Sequence, residues 1–157
     1  MARGSGCSKN DRPALARGNG ELVLAVDVPY GQLPNAGDET LNWYLRDIGL
    51  DPAETRYRLI EAPLATFTQG FCDAEAYLLD GDEDGYRLTV ELADVLEAGG
   101  ELDPAVVCDY ETYYSRTGLM LTPPSKRQLM VFDGCHRLSA HALAGRERAR
   151  AYELQLP

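Results

Sequence analysis

Leu129-Met130-Val131-Phe132-Asp133-Gly134-Cys135-His136-Arg137-Leu138-Ser139-Ala140-His141-Ala142-Leu143-Ala144-Gly145 is the stretch on which the reading of this chain turns. Gln128 to Phe132 reads as a short strand, apolar over its last four residues. Gly134 permits a sharp turn and a close backbone approach. His136 to Ala144 is helix-compatible, and Gly145 supplies a stop. A strand that ends in a glycine turn and opens a helix gathers backbone N–H groups that have no partner within the helix. The helix dipole adds positive potential at the same spot, so the turn can hold an anion. His136 and Arg137 add side-chain donors, and the Arg fork can give a phosphate two parallel hydrogen bonds. A plain strand-to-helix junction explains the same residues without any ligand.

Outward from that turn, the chain alternates strand and helix signals. Leu22 to Val28 is rich in β-branched residues and reads as a strand ended by Pro29-Tyr30-Gly31. Asp38 can cap a helix that runs through Ile48, with Leu41, Tyr44, Leu45 and Ile48 on one face. Asp51-Pro52 begins a second, short turn. Tyr57 to Phe67 reads as extended, with Pro63 weakening its centre. Asp73 to Leu79 fits helix or strand. Leu88 to Ala98 is a helix stopped by Gly99-Gly100, and Pro104 to Cys108 is a short buried strand. Asp109 to Arg127, with three tyrosines and Pro123-Pro124, reads as an insertion or lid loop. Ala149 to Leu154 is a closing strand. This order predicts an α+β (or α/β) domain with a small mixed sheet and packed helices.

The 157 residues suit one domain. Residues 1–20, polar and Gly-rich, read as a disordered tail, and 21–157 as a single domain. No apolar run approaches the roughly 20 residues that a membrane helix needs. The first residues lack the apolar core of a secretory signal, so a soluble cytoplasmic protein is expected. Cys7, Cys72, Cys108 and Cys135 form no C-x-x-C pair, which argues against a zinc knuckle. The net charge of −10 disfavours DNA as a partner. That charge is uneven. Thirteen acids and one base fall between Asp73 and Glu111, whereas seven bases and two acids fall between Arg116 and Arg150. A basic C-terminal third can hold a compact anion or neutralise the acidic middle of the fold.

Phe132-Asp133-Gly134-Cys135-His136-Arg137 resembles the F-G-G-C-H-R signature of sulfiredoxins, with Asp133 in place of a glycine. Asp133-Gly134-x-His136-Arg137 equally resembles the D-G-H-H-R-type box of ParB-like proteins, some of which act as free-serine kinases. Leu138 to Gly145 and Ala149 to Leu154 are similar to the helix and closing strand of that superfamily. Leu88–Gly100 with Leu102 to Val107 is a looser match. The resemblance covers about residues 57–157, leaving 21–56 as an N-terminal extension.

The resemblance implies a ParB/sulfiredoxin-like fold that binds ATP or ADP, or CTP, with phosphates on Gly134, Cys135, His136 and Arg137. It implies nucleotide-dependent phosphoryl transfer, a kinase or transferase activity. The acceptor would be a small hydroxyl compound or a sulfinic acid. Cys135 corresponds to the sulfiredoxin nucleophile, and Asp133 to the aspartate near substrate and Mg²⁺ in the kinases. The upstream glutamate that serves those kinases as base normally lies in a Pro-His-Glu context. Thr66-Phe67-Thr68 stands there instead, and Glu61, Asp73 and Glu75 are the substitutes.

From the residues themselves, a thiol at a helix N-terminus beside His136 and Arg137 is placed to act as a nucleophile; it also fits as a small residue packed under the turn. Asp133 can hold Mg²⁺ or cap the helix. His141, four residues after Arg137, reads as a surface or packing histidine. It is five from His136, the wrong spacing for paired metal ligands on a helix.

A second motif competes. Asp80, Asp82 and Asp84 stand at positions one, three and five of an EF-hand calcium loop, Gly85 at six and Glu91 at twelve. Arg87 occupies position eight, usually aliphatic, and no second hand is present. An acid-rich hairpin, Ala76–Leu79 against Tyr86–Val90, explains the same residues. The alternatives to an enzyme are therefore a non-catalytic ParB-like nucleotide-binding regulator and a calcium-binding interaction protein.

Overall fold

In a computed structural model, residues 15–16, 20–67, 83–118 and 126–156 are described. The strands are β1 (Leu15–Ala16), β2 (Leu22–Pro29), β3 (Arg56–Pro63), β4 (Ala105–Asp109), β5 (Leu129–Asp133) and β6 (Arg148–Gln155). The helices are α1 (Glu39–Asp47), α2 (Glu83–Glu97), α3 (Tyr110–Thr117) and α4 (Cys135–Leu143). The strands form one mixed sheet in the order β1-β2-β3-β6-β4-β5. Only β4 and β6 run parallel; the other neighbours are antiparallel. This is the α+β architecture that the sequence pattern predicts.

The sheet is covered on both faces, which is why β4 and β5 read as unbroken apolar runs. Side chains alternate across a strand. Val106, Cys108, Met130 and Phe132 point to one face, where Leu41 and Leu45 of α1 and Tyr113 of α3 cover them. Ala105, Val107, Leu129 and Val131 point to the other, where Leu138 of α4 packs. α2 lies outside α4 through Ala93, Leu96 and Ala140. β3 ends at Pro63, and a short 3-10 turn, Leu64–Thr66, carries the chain away from the sheet.

The Asp38 cap is in place, its carboxylate accepting from the Leu41 N–H at 3.0 Å. Within the expected disordered tail, Leu15–Ala16 instead pair with β2 in the register Leu15 to Val23 and Ala16 to Leu22.

The lid expectation for Asp109 to Arg127 is overturned at 110–117. Asp109 caps α3 by accepting from the Thr112 N–H at 3.0 Å, and Gly118 ends it with φ 73°. The physical reason is the tyrosine spacing. Tyr110, Tyr113 and Tyr114 lie three and four apart, the period that brings side chains to one helix face. Tyr113 is buried edge-on to Phe132 and Tyr44, and its hydroxyl donates to Asp47 Oδ2 at 2.8 Å. Residues 119–125 and the ambiguous stretch Asp73 to Leu79 lie outside the described residues.

The calcium loop and the hairpin are corrected together. Asp84 to Glu91 belong to α2, a continuous helix. Seven steps of 1.5 Å separate Asp84 from Glu91 by about 10 Å along the axis, too far to share one ion. Asp84 is exposed and ion-paired with Arg87 at 3.1 Å. Asp80 and Asp82 lie outside the described residues.

Candidate functional site

β5 delivers Asp133, and Gly134 turns the chain into α4 with φ 107°, where a side chain is strained. A Cβ on Gly134 would also stand 2.7 Å from Ala105 Cβ and 3.0 Å from an Arg137 nitrogen. The glycine is thus required first by close packing of the turn on β4. Gly134 provides no side-chain cap, unlike Asp38 and Asp109 on α1 and α3. Leu138 N–H makes the first helical bond, to the Gly134 carbonyl at 2.9 Å.

Asp133, Gly134, Cys135, His136 and Arg137 line one side of a cleft of about 540 Å³. Leu88, Leu92 and Val95 of α2, with Leu102, form an apolar wall opposite, and Glu101 and Asp103 edge it. Leu88 and Val95 are 42% and 43% exposed, so α2 presents uncovered apolar surface to the cleft. That volume lies within the roughly 300–1,000 Å³ range of ligand sites.

The side chains of the turn are already engaged. Arg137 donates to Asp133 Oδ2 at 2.8 Å and weakly to the Pro104 carbonyl at 3.4 Å. Asn35, in the turn before α1, donates to the same Asp133 oxygen. Two atoms of this cluster, Arg137 Nε and Asn35 Oδ1, are buried with no hydrogen-bond partner among the described residues. Thr89 gives its hydroxyl proton to the Gly85 carbonyl, so the 3.4 Å contact between Thr89 and His136 Nδ1 has the imidazole as donor. Neither Cys108 nor Cys135 is in a disulfide. Burial, with Asp109 and Glu153 adding to it, pushes Cys108 up to about 12. Cys135 is half-buried at the cleft.

Comparison with protein-family models, with curated proteins and with solved structures returns no match for this chain.

The structure therefore gathers five of the expected residues, Asp133 to Arg137, at one cleft. It does not bring Glu61 there. Glu61 sits on β3, salt-bridged to Arg148 of β6 at 3.0 Å, and lines a neighbouring groove. Asp73 and Glu75 lie outside the described residues. Among the described residues no group of three metal-ligating side chains converges. Sequence reasoning missed Asn35, which is 98 residues away from the acid it touches and has no local pattern to announce it.

A second charged cluster lies before β5. Arg127 donates twice to Glu21, at 2.7 and 3.2 Å, and also to Glu153 at 2.5 Å and Asp109 at 3.2 Å. Burial pushes its pKa down, but the bonds to Glu21 and Glu153 outweigh that and hold it above the ordinary range. Glu21 is 0% and Glu153 4% exposed, so these carboxylates depend on the guanidinium.

Proposed function

We propose that this chain is a nucleotide-binding protein of ParB/sulfiredoxin type that transfers a phosphoryl group at the Asp133–Arg137 turn. One observation carries the reading: the start of α4, with Cys135, His136 and Arg137, faces an apolar wall across a ligand-sized cleft. A nucleotide has that polarity, with anionic phosphates at one end and a flat, weakly polar base at the other. The amides of the first turn of α4 and the Arg137 guanidinium would take the phosphates. Leu88, Leu92 and Val95 would take the base.

Asp133 is the carboxylate of the box, and its Oδ2 already accepts from Arg137 and Asn35. Mg²⁺ commonly uses one or two carboxylates and completes its shell with phosphate oxygens and water. Asp133 fits that modest role, and Mg²⁺ would neutralise phosphate charge. Catalysis would come from positioning and charge stabilisation. The acceptor would be a small hydroxyl compound or a sulfinic acid, with Cys135 as nucleophile in the second case.

A thermal-shift screen of ATP, ADP, CTP and GTP with and without Mg²⁺ tests the reading. At about 100 times Kd a ligand adds about 2.7 kcal/mol of stability, a shift of several degrees. Arg137→Met is expected to lose the shift, and absence of a shift with every nucleotide refutes the proposal. Cys135→Ser separates the branches, because a sulfinic-acid enzyme loses turnover and a hydroxyl kinase keeps it.

A nucleotide-binding regulator without turnover is the second reading. It is favoured by Glu61 lying in a different groove and by the commitment of Asp133 to Arg137 and Asn35. A nucleotide-induced shift with no hydrolysis or transfer supports this reading over the first.

A further inference from the structure

A second groove, about 400 Å³, opens at the start of β6, on the far side of the loop 101–103 that also walls the cleft. It goes beyond the box and does not depend on it. Arg146, Arg148, Arg150 and His141 all line it. Arg148 is held in place by Glu61 and by the Gly20 carbonyl at 2.7 Å. Arg146 is anchored by the Leu96 carbonyl at 2.9 Å. Arg150 is exposed at the groove and makes no such bond among the described residues. Glu101 and Asp103 face the same space from the α2–β4 loop. With Glu61 also counted, cations and carboxylates balance, so net charge gives the groove little pull on an anion. It must discriminate by hydrogen-bond pattern.

His141 sets that pattern. Its Nδ1 lies 2.8 Å from the Arg137 carbonyl. A carbonyl only accepts, so Nδ1 carries the hydrogen. Burial lowers the pKa of the ring, the Arg137 carbonyl opposes this, and Arg146 adds to the lowering. The imidazole is therefore neutral at pH 7 and above, and Nε2, on the opposite edge of the ring, is a lone-pair acceptor. The groove thus offers arginine donors beside an acceptor.

We propose that this groove is a binding site for a protonated oxyanion, with hydrogen phosphate as the simplest occupant. Arg146, Arg148 and Arg150 hold its anionic oxygens, and His141 Nε2 accepts its O–H. Sulfate has the same shape and charge but carries no O–H at neutral pH. It would face Nε2 and the carboxylates of Glu101 and Asp103 lone pair to lone pair.

Isothermal titration of the full chain with phosphate and with sulfate, at pH 7.5 and matched ionic strength, tests this. Phosphate is expected to bind about tenfold more tightly, the scale of one hydrogen bond whose loss leaves an acceptor unpaired. His141→Phe brings phosphate down to the sulfate level and leaves sulfate unchanged. His141→Gln, which keeps an acceptor, retains part of the preference and guards against a folding defect. Arg150→Ala weakens both ions. Arg137→Met keeps the preference, so loss of nucleotide binding and loss of this site are separate results. Equal binding of the two ions, no binding of either, or a preference that survives His141→Phe overturns the proposal.

Discussion

The two ends of β5 hold arginines in opposite ways. Before the strand, Arg127 is surrounded by Glu21, Glu153 and Asp109, two of them buried. After it, Arg137 meets one carboxylate, keeps a buried Nε without a partner among the described residues, and lines a cleft. The first arrangement is saturated, with every charge assigned to the fold. The second is under-filled, and under-filled buried polar groups persist where a ligand or a change of partner gives them a use. The same residue type thus marks a lock just before the strand and a candidate site just after it.

The largest effect expected from this contrast is at the lock. Arg127→Ala takes the guanidinium away from two buried carboxylates, Glu21 and Glu153, and should destabilise by about 3–5 kcal/mol. Urea unfolding measures it, and a loss under about 1 kcal/mol would place Arg127 among surface pairs instead. Next comes Gly134→Ala, which combines φ 107° with a 2.7 Å approach to Ala105. About 2–3 kcal/mol of destabilisation is expected, through strain and forced displacement of the turn. A neutral result would mean that the turn can reopen away from β4.

The thiols sharpen the comparison further. Cys108, beside Asp109, has its folded pKa raised from 9.0 to about 12. A raised acid gives stability that is complete below its unfolded pKa and is lost as pH climbs toward the folded value. Stability should thus fall between pH 9 and 12, and Cys108→Ala should move that fall to higher pH in an alkaline unfolding titration. Over the same chain, iodoacetamide at pH 7.5 should label Cys135 before Cys108, as read by peptide mass spectrometry. Equal labelling would remove the distinction between the two ends.

Most elements were legible because they obey short periods. Ala105 to Cys108 and Leu129 to Phe132 announce buried strands, and Asp38 with Leu41 and Leu45 announces α1. The box was legible because a glycine between a strand and a helix is a local signal. The misreadings have physical causes. Pro123-Pro124 drew the whole of 109–127 into a loop, although the tyrosine spacing at 110, 113 and 114 is helical. The acids of 80–91 fit a calcium loop in type and spacing, but Thr89, Ala93 and Leu96 bury one face of a helix, and packing prevailed over ligand pattern. Asn35, Glu21 and the Glu61–Arg148 pair escaped because long-range partners leave no trace in local sequence.

The strand order has a consequence for how the molecule is made. β6 follows the other described strands in sequence, yet it stands between β3 and β4 and pairs with both. Without Arg148–Gln155 the strand pairings leave two unjoined sets, β1-β2-β3 and β4-β5. The core therefore stays unsealed until β6 has been made, and that strand docks into a waiting slot rather than adding to a rim.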